Sequence, residues 1–275
     1  KMKSIIVPVD FSKQSEQALK VAADIAKKHG AELLVLHMLE LSPAIMSDSG
    51  YVSQEQIVHL IKIGEKRFND FLDKPYLKGV NIVPVIKHYK VFSEVNEVAE
   101  KHNADLIVMG SHGTDGLQEI FIGSNTERVV RSSDIPVLVI KGEDMDKFRA
   151  ERFVFACDFK EESVPALLKA VEMAEILKSQ LLLVYINTPG DEFLSTEDAY
   201  NRVSKFLNLA KLGLEVQIYN DYTVEKGVLN YSESVAADLI GIPTHGRKGL
   251  SHFFMGSIGE NIANHSNTAV VTFKI

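Results

Sequence analysis

Three glycines in the first half of the chain are spaced for anion chemistry. Gly110-Ser111-His112-Gly113 is followed by nine residues, 114 to 122, and then by Gly123-Ser124-Asn125-Thr126. Gly110 closes an apolar run of strand type, and Gly123 precedes a helical pattern carrying Val129 and Val130. A phosphate needs close approach to bare backbone N–H groups, which a Cβ obstructs. A helix start adds unpaired N–H donors and the positive end of a dipole. The hydroxyls of Ser124 and Thr126 can add further donors.

Asp10 ends the first strand-like run, Ile6-Val7-Pro8-Val9. In open parallel sheets, ligands bind beyond the carboxyl ends of strands where the strand order reverses. If the strands ending at Asp10 and Gly110 are neighbours there, the acid faces the same crevice. It can then accept from ribose hydroxyls or an amino group. Ser12 is the expected cap of the following helix, although Asp10 is open to that role as well.

Two better-known phosphate motifs are absent. A dinucleotide fold carries its glycines after the first strand, where Asp10-Phe11-Ser12 stands, and no Gly-Lys-Ser/Thr occurs. The loop holds Asp115 and Glu119 but no cation, with Arg128 one turn further on, so no catalytic residue is assigned. His112 and His245 lack a paired nucleophile and read as loop residues. His245 and His252 lack the i, i+4 spacing of a helical metal pair, so no metal site is expected.

These residues recur. Val154-Phe155-Ala156-Cys157-Asp158-Phe159 lies over the segment from Ile6 to Phe11, and Gln180-Leu181-Leu182-Leu183 over Glu32-Leu33-Leu34-Val35. Asp238-Leu239-Ile240 then matches Asp105-Leu106-Ile107, and His245-Gly246 matches His112-Gly113. Gly256-Ser257 repeats Gly123-Ser124 at the same nine-residue spacing. Repetition of this order marks a tandem duplication. The predicted domains are 1–142 and 150–275, with a polar boundary at 142–147.

Each copy alternates strands with helices, which predicts an α/β fold with a parallel sheet covered on both faces. In the first copy strands are expected at 32–39, 82–86, 106–109 and 137–140, and a loop at 43–50. Ala18, Leu19, Ala22, Ile25 and Ala26 stripe the first helix, and Gly30 suits its stop.

A first strand ending in Pro-Val-Asp-Phe-Ser, Gly-x2-Gly-x9-Gly-Ser, and a closing Pro-Val-Leu-Val-Ile resemble the ATP-binding branch of the universal stress protein family, twice over. The resemblance implies five-stranded Rossmann-like sheets of order 3-2-1-4-5. It implies adenine contacts at Met38 and nucleoside contacts near Asp10, with Pro8 in the same set. Phosphate contacts carry over to Gly113, Gly123, Ser124 and Asn125, with Gly110 lining the crevice. It also implies that the last strands, 137–140 and 270–273, pair with each other, within the chain or across a homodimer.

The second copy departs from the pattern. Pro243 stands at the place of Gly110, removing a donor and fixing φ. Its candidate set is Asp158, Ile186, Gly246, Arg247, Gly256 and Ser257. Arg247 and Lys248 favour an anion there, but backbone geometry favours the first copy.

The expected ligand is therefore ATP, ADP or AMP, bound chiefly by the first domain, with Mg²⁺ a common companion of a triphosphate. The expected role is regulation in a stress response. Alternatives are a non-nucleotide ligand-binding or dimerisation module of the same fold, and a slow ATPase. The net charge of −7 argues against nucleic acid or an anionic membrane surface as partner. No apolar run reaches the length of a membrane span, and the opening residues run straight into a strand pattern, so the cytoplasm is the expected location. The single cysteine, Cys157, follows such a pattern and reads as a buried, inert thiol.

Overall fold

Buried apolar runs form the strands, and amphipathic stretches between them form the helices that cover the sheet. The computed structural model describes residues 1–39, 54–88, 91–111, 124–141, 147–244 and 268–275. The first half contains β1 (Ser4–Val9), α1 (Lys13–His29), β2 (Glu32–Leu39), α2 (Gln54–Leu72) and β3 (Asn81–His88). It continues with α3 (Val91–Lys101), β4 (Leu106–Gly110), α4 (Ser124–Ser132) and β5 (Val137–Ile140). The second half repeats this order with β6 (Arg152–Ala156), α5 (Val164–Leu177), β7 (Gln180–Asn187), α6 (Thr196–Ala210) and β8 (Val216–Asn220). It ends with α7 (Val224–Ser234), β9 (Leu239–Thr244) and β10 (Ala269–Lys274). The predicted loop at 43–50 and most of the boundary stretch lie outside the described residues.

All ten strands join one sheet of order β3-β2-β1-β4-β5-β10-β9-β6-β7-β8. Each half follows the 3-2-1-4-5 order, and the halves meet where β5 and β10 run antiparallel. The seam pairs Val137 with Thr272, Leu138 with Val271 and Val139 with Val270. Every other pairing is parallel. A strand covered on both faces reads as an unbroken apolar run. Leu33 to Leu36 are accordingly buried without alternation.

Successive strand residues feed two cores. Ile5, Val7 and Val9 pack with α1 on one face, and Ile6 packs with Val95 and Val129 of α3 and α4 on the other. Ser12 caps α1, its hydroxyl accepting from the Ser15 N–H, and Gly30 ends the helix in the left-handed region at φ 63°.

An aspartate sets the start of the central pairing in each half. The Asp105 carboxylate accepts from the backbone N–H groups of Lys3 and Ser4, beside the first residues of β1. Asp238 accepts from the Arg152 N–H at 2.9 Å in the second half. The repeated Asp-Leu-Ile segments thus align β1 with β4 and β6 with β9.

Side chains also cross the seam. Lys274 lies 2.7 Å from the Asp134 carboxylate, and the Lys169 ammonium donates to the Asp134 carbonyl at 2.9 Å. The hydrogen bond from Lys274 holds the Asp134 carboxyl below its usual range. A carboxyl with a lowered folded pKa adds stability above its unfolded pKa and loses it as pH falls through the folded value. Asp134→Asn should therefore be slightly less stable than wild type at pH 7, with the gap narrowing as pH falls below the ordinary carboxylate value of about 3.9. Urea denaturation across an acid pH series measures this.

Candidate functional site

The strand register assembles the predicted crevice in the first half. Val9 pairs with His37, which puts Met38 level with Asp10. Ile5 pairs with Leu106 and Ile6 with Ile107, which carries Gly110 to the level of Val9. Met38, Asp10 and Gly110 therefore sit at the carboxyl ends of three adjacent strands. The sheet order reverses between β1 and β4, the position where such folds bind ligands. Pro8 and Met38 are half-buried at this end of the sheet.

The Asp10 carboxylate is tied to the start of α1. Its Oδ1 accepts from the Ser12 N–H at 3.0 Å and from the Ser12 hydroxyl at 2.5 Å. Ser12 in turn accepts from Ser15, so it is the helix cap and Asp10 braces it from outside. The acid thereby lies against the positive end of α1.

The second helix start at the crevice belongs to α4. Thr126 is buried, and its hydroxyl donates to the Gly110 carbonyl at 3.0 Å. That bond ties the first turn of α4 to the end of β4. Asn125 is exposed on the same turn. Gly113, Gly123 and the Ser124 side chain lie outside the described residues, as do Gly246, Arg247, Gly256 and Ser257.

Gly110 has a reason for lacking a side chain that spacing did not disclose. A Cβ there would stand 2.7 Å from the Gln14 carbonyl oxygen, because the first turn of α1 presses on β4. The second half carries Pro243 at this position. There the equivalent turn is a 3-10 segment, Glu161–Ser163, and α5 starts only at Val164.

Other contacts separate the two crevices further. Lys160 occupies the place of Ser12, and its ammonium lies 3.7 Å from Asp158 Oδ2. Asp158 Oδ1 accepts from the Lys160 N–H at 3.1 Å and from the Ser163 hydroxyl at 2.9 Å. Ile186, at the place of Met38, is buried, as is Ala156 at the place of Pro8. A Cβ on Gly227 of α7 would stand 2.4 Å from Ile186, so that helix rests directly on it. At the Ile186 and Ala156 positions the second half is buried where the first is half-buried.

Two residues near these sites fall outside the sequence-based set. Lys141 follows Ile140, the partner of Gly110, and burial pushes its ammonium down to about 8. Its recurrence as Lys274 was the available signal. Cys157 is half-buried, and burial raises its thiol far above the range in which a thiolate forms. Among the described residues, no group of three acidic, histidine or cysteine side chains could hold a metal, and no helix is long and apolar enough to cross a membrane.

Comparison with known proteins follows the duplication. The model of the universal stress protein family matches residues 1–141 and again 150–274. A universal stress protein of Methanocaldococcus jannaschii, MJ0531, is 37% identical over 141 residues, covering 50% of this chain and 82% of that protein. One from Mycolicibacterium smegmatis is 22% identical over 289 residues, covering 98% of this chain and 96% of its own. The crystal structure of a universal stress protein from Archaeoglobus fulgidus shares the fold with TM-score 0.68 at 23% identity, covering 98% of this chain and 96% of that one.

The pressure of α1 on Gly110 sets a stability test. Gly110→Ala should lose about 1–3 kcal/mol, the usual cost of forcing a methyl into packed backbone, as read by urea denaturation.

Proposed function

Since the chain belongs to the universal stress protein family, with one match in each half, we propose that it is a regulatory protein that binds an adenine nucleotide in the crevice of its first half. ATP, ADP and AMP share the features this crevice addresses. Met38 and Pro8 would meet the base, Asp10 would accept from the ribose, and the glycine-spaced loop with α4 would hold the phosphates. Gly113, Gly123, Ser124 and Asn125 are the residues proposed for phosphate contact, with Mg²⁺ on a bound triphosphate.

The observation that carries this reading is the alignment of Met38, Asp10 and Gly110 on three adjacent strand ends, with α4 tied behind them by Thr126. The contrast between the halves supports placing the ligand in the first. Lys160 stands beside Asp158 where the first half has Ser12, and Ile186 is buried where Met38 is half-buried. The second half would then act mainly through the shared sheet, responding to occupancy of the first.

A regulatory role, exercised in the cytoplasm, suits the loop composition better than rapid phosphoryl transfer. That chemistry uses cations arrayed on the transferring group. The first-half loop offers Asp115 and Glu119 instead. Steady ATP turnover faster than about one per second, low on the enzyme range, would contradict this reading.

Calorimetric titration of ATP into the full chain tests the assignment. Asp10→Ala should weaken binding about tenfold or more, since a hydrogen bond to a charged group contributes roughly 1.5–3 kcal/mol. Gly113→Val should abolish binding by blocking phosphate approach, and Asp158→Ala should leave it unchanged. Unchanged affinity in Gly113→Val would show that the loop is not the site. Loss of binding only in Asp158→Ala would move the ligand to the second half.

A further inference from the structure

Six non-glycine residues among those described have positive φ: Phe11, Asn103, Phe159, Lys178, Lys211 and Ala236. Asn103, Lys178, Lys211 and Ala236 lie one or two residues past the ends of α3, α5, α6 and α7. A left-handed residue there is an ordinary helix stop. Phe11, at φ 67°, and Phe159, at φ 53°, have no helix before them. Each follows a strand and the aspartate that ends its crevice, at the same position in the two copies. A bulky aromatic residue is a costly choice for this backbone region, and such strain persists only where surrounding contacts over-determine it.

The contacts that do so are aromatic. The Phe11 ring lies 4.2 Å from the His37 ring and 5.2 Å from that of Phe71, centroid to centroid. The Arg67 guanidinium sits 4.7 Å above it. His37 is itself fixed, since its Nδ1–H donates to the Val9 carbonyl at 2.9 Å. In the second half Phe159 packs 5.0 Å from Phe206 and 6.1 Å from Tyr185. The cage members change between copies while the left-handed turn remains.

The turn has a direct geometric consequence. It folds the chain back immediately after Asp10, so that the Ser12 N–H and hydroxyl both reach Oδ1. The Phe11 ring packs against the core that contains Val9, whereas Met38 packs against the opposite one. The ring therefore packs on the opposite face of the sheet from Met38 and acts through the backbone.

We infer that Phe11 is a positioning residue: its aromatic cage holds a strained left-handed turn that fixes the Asp10 carboxylate in the crevice. The consequence for ligand affinity rests on the nucleotide reading given above; the geometric role does not. In this view the strain is retained because an unstrained exit from β1 would let the carboxylate swing with the loop.

The test uses the full chain with Phe11→Ala, Phe11→Leu and, as a control in the other half, Phe159→Leu. Two readouts are taken at a temperature where thermal melts show each variant folded: hydrogen exchange of the Ser12 amide and affinity for ATP. Both Phe11 variants should lose protection at Ser12, and ATP affinity should fall about tenfold in Phe11→Ala and several-fold in Phe11→Leu. Phe159→Leu should lower the melting temperature yet leave ATP affinity unchanged. If Phe11→Ala fails to fold, Phe11→Leu carries the test, because it fills the volume without the ring. Unchanged Ser12 protection, or unchanged affinity in a folded Phe11 variant, overturns the inference. If wild type binds no ATP, the nucleotide reading fails, and Ser12 exchange alone decides whether Phe11 holds Asp10.

Discussion

The pairing of β1 with β4 joins segments about a hundred residues apart, and the geometry of the crevice depends on it. Asp105 sets the register by accepting from the amides of Lys3 and Ser4 at the start of the pair. The other end of the same pair then delivers Asp10 and Gly110 side by side. A one-residue slip in a strand moves every side chain to the opposite face. Such a slip would turn Asp10 away from Gly110 and expose apolar residues of both cores. The register that builds the hydrophobic cores therefore also builds the crevice, so that a stable sheet fixes the placement of the acid.

The two halves show how one scaffold separates packing from ligand binding. Both retain the terminal aspartate, the left-handed phenylalanine and the aspartate at the start of the central pair. They differ at Gly110 and Pro243, Ser12 and Lys160, and Met38 and Ile186. In the second half α5 begins later, Lys160 approaches the acid, and α7 rests on Ile186 through Gly227. Each change alters the surroundings of the strand ends while leaving the sheet intact. The antiparallel seam joins the two halves and continues a core across them, with Leu138 and Ile140 in the same cluster as Phe155 and Phe273.

Much of the fold was legible in the sequence because it is written in periodicity and repetition. Unbroken apolar runs marked β2 and β4, the stripe from Ala18 to Ala26 marked α1, and Asp-Leu-Ile marked the same strand in both copies. Site geometry was legible only in part. Gly110 was recognised as bare backbone, but the helix that requires it bare was not, since the contact with Gln14 is made across the fold. The left-handed backbone of Phe11 left no trace in a sequence where glycine or asparagine is the usual signal for positive φ. Ile186 stood in the candidate set of the second copy; the helix that rests on it does so through Gly227, which is distant in sequence and carries no motif.

The central claim is that a single anionic ligand is held at the carboxyl edge of the first half, between β1, β4 and the start of α4. Hydrogen exchange of the full chain with and without saturating ATP tests it most directly. The account predicts slowed exchange for amides from 110 to 126 and around Asp10, with no change from 243 to 259. Protection confined to 243–259, or no protection anywhere, would contradict it.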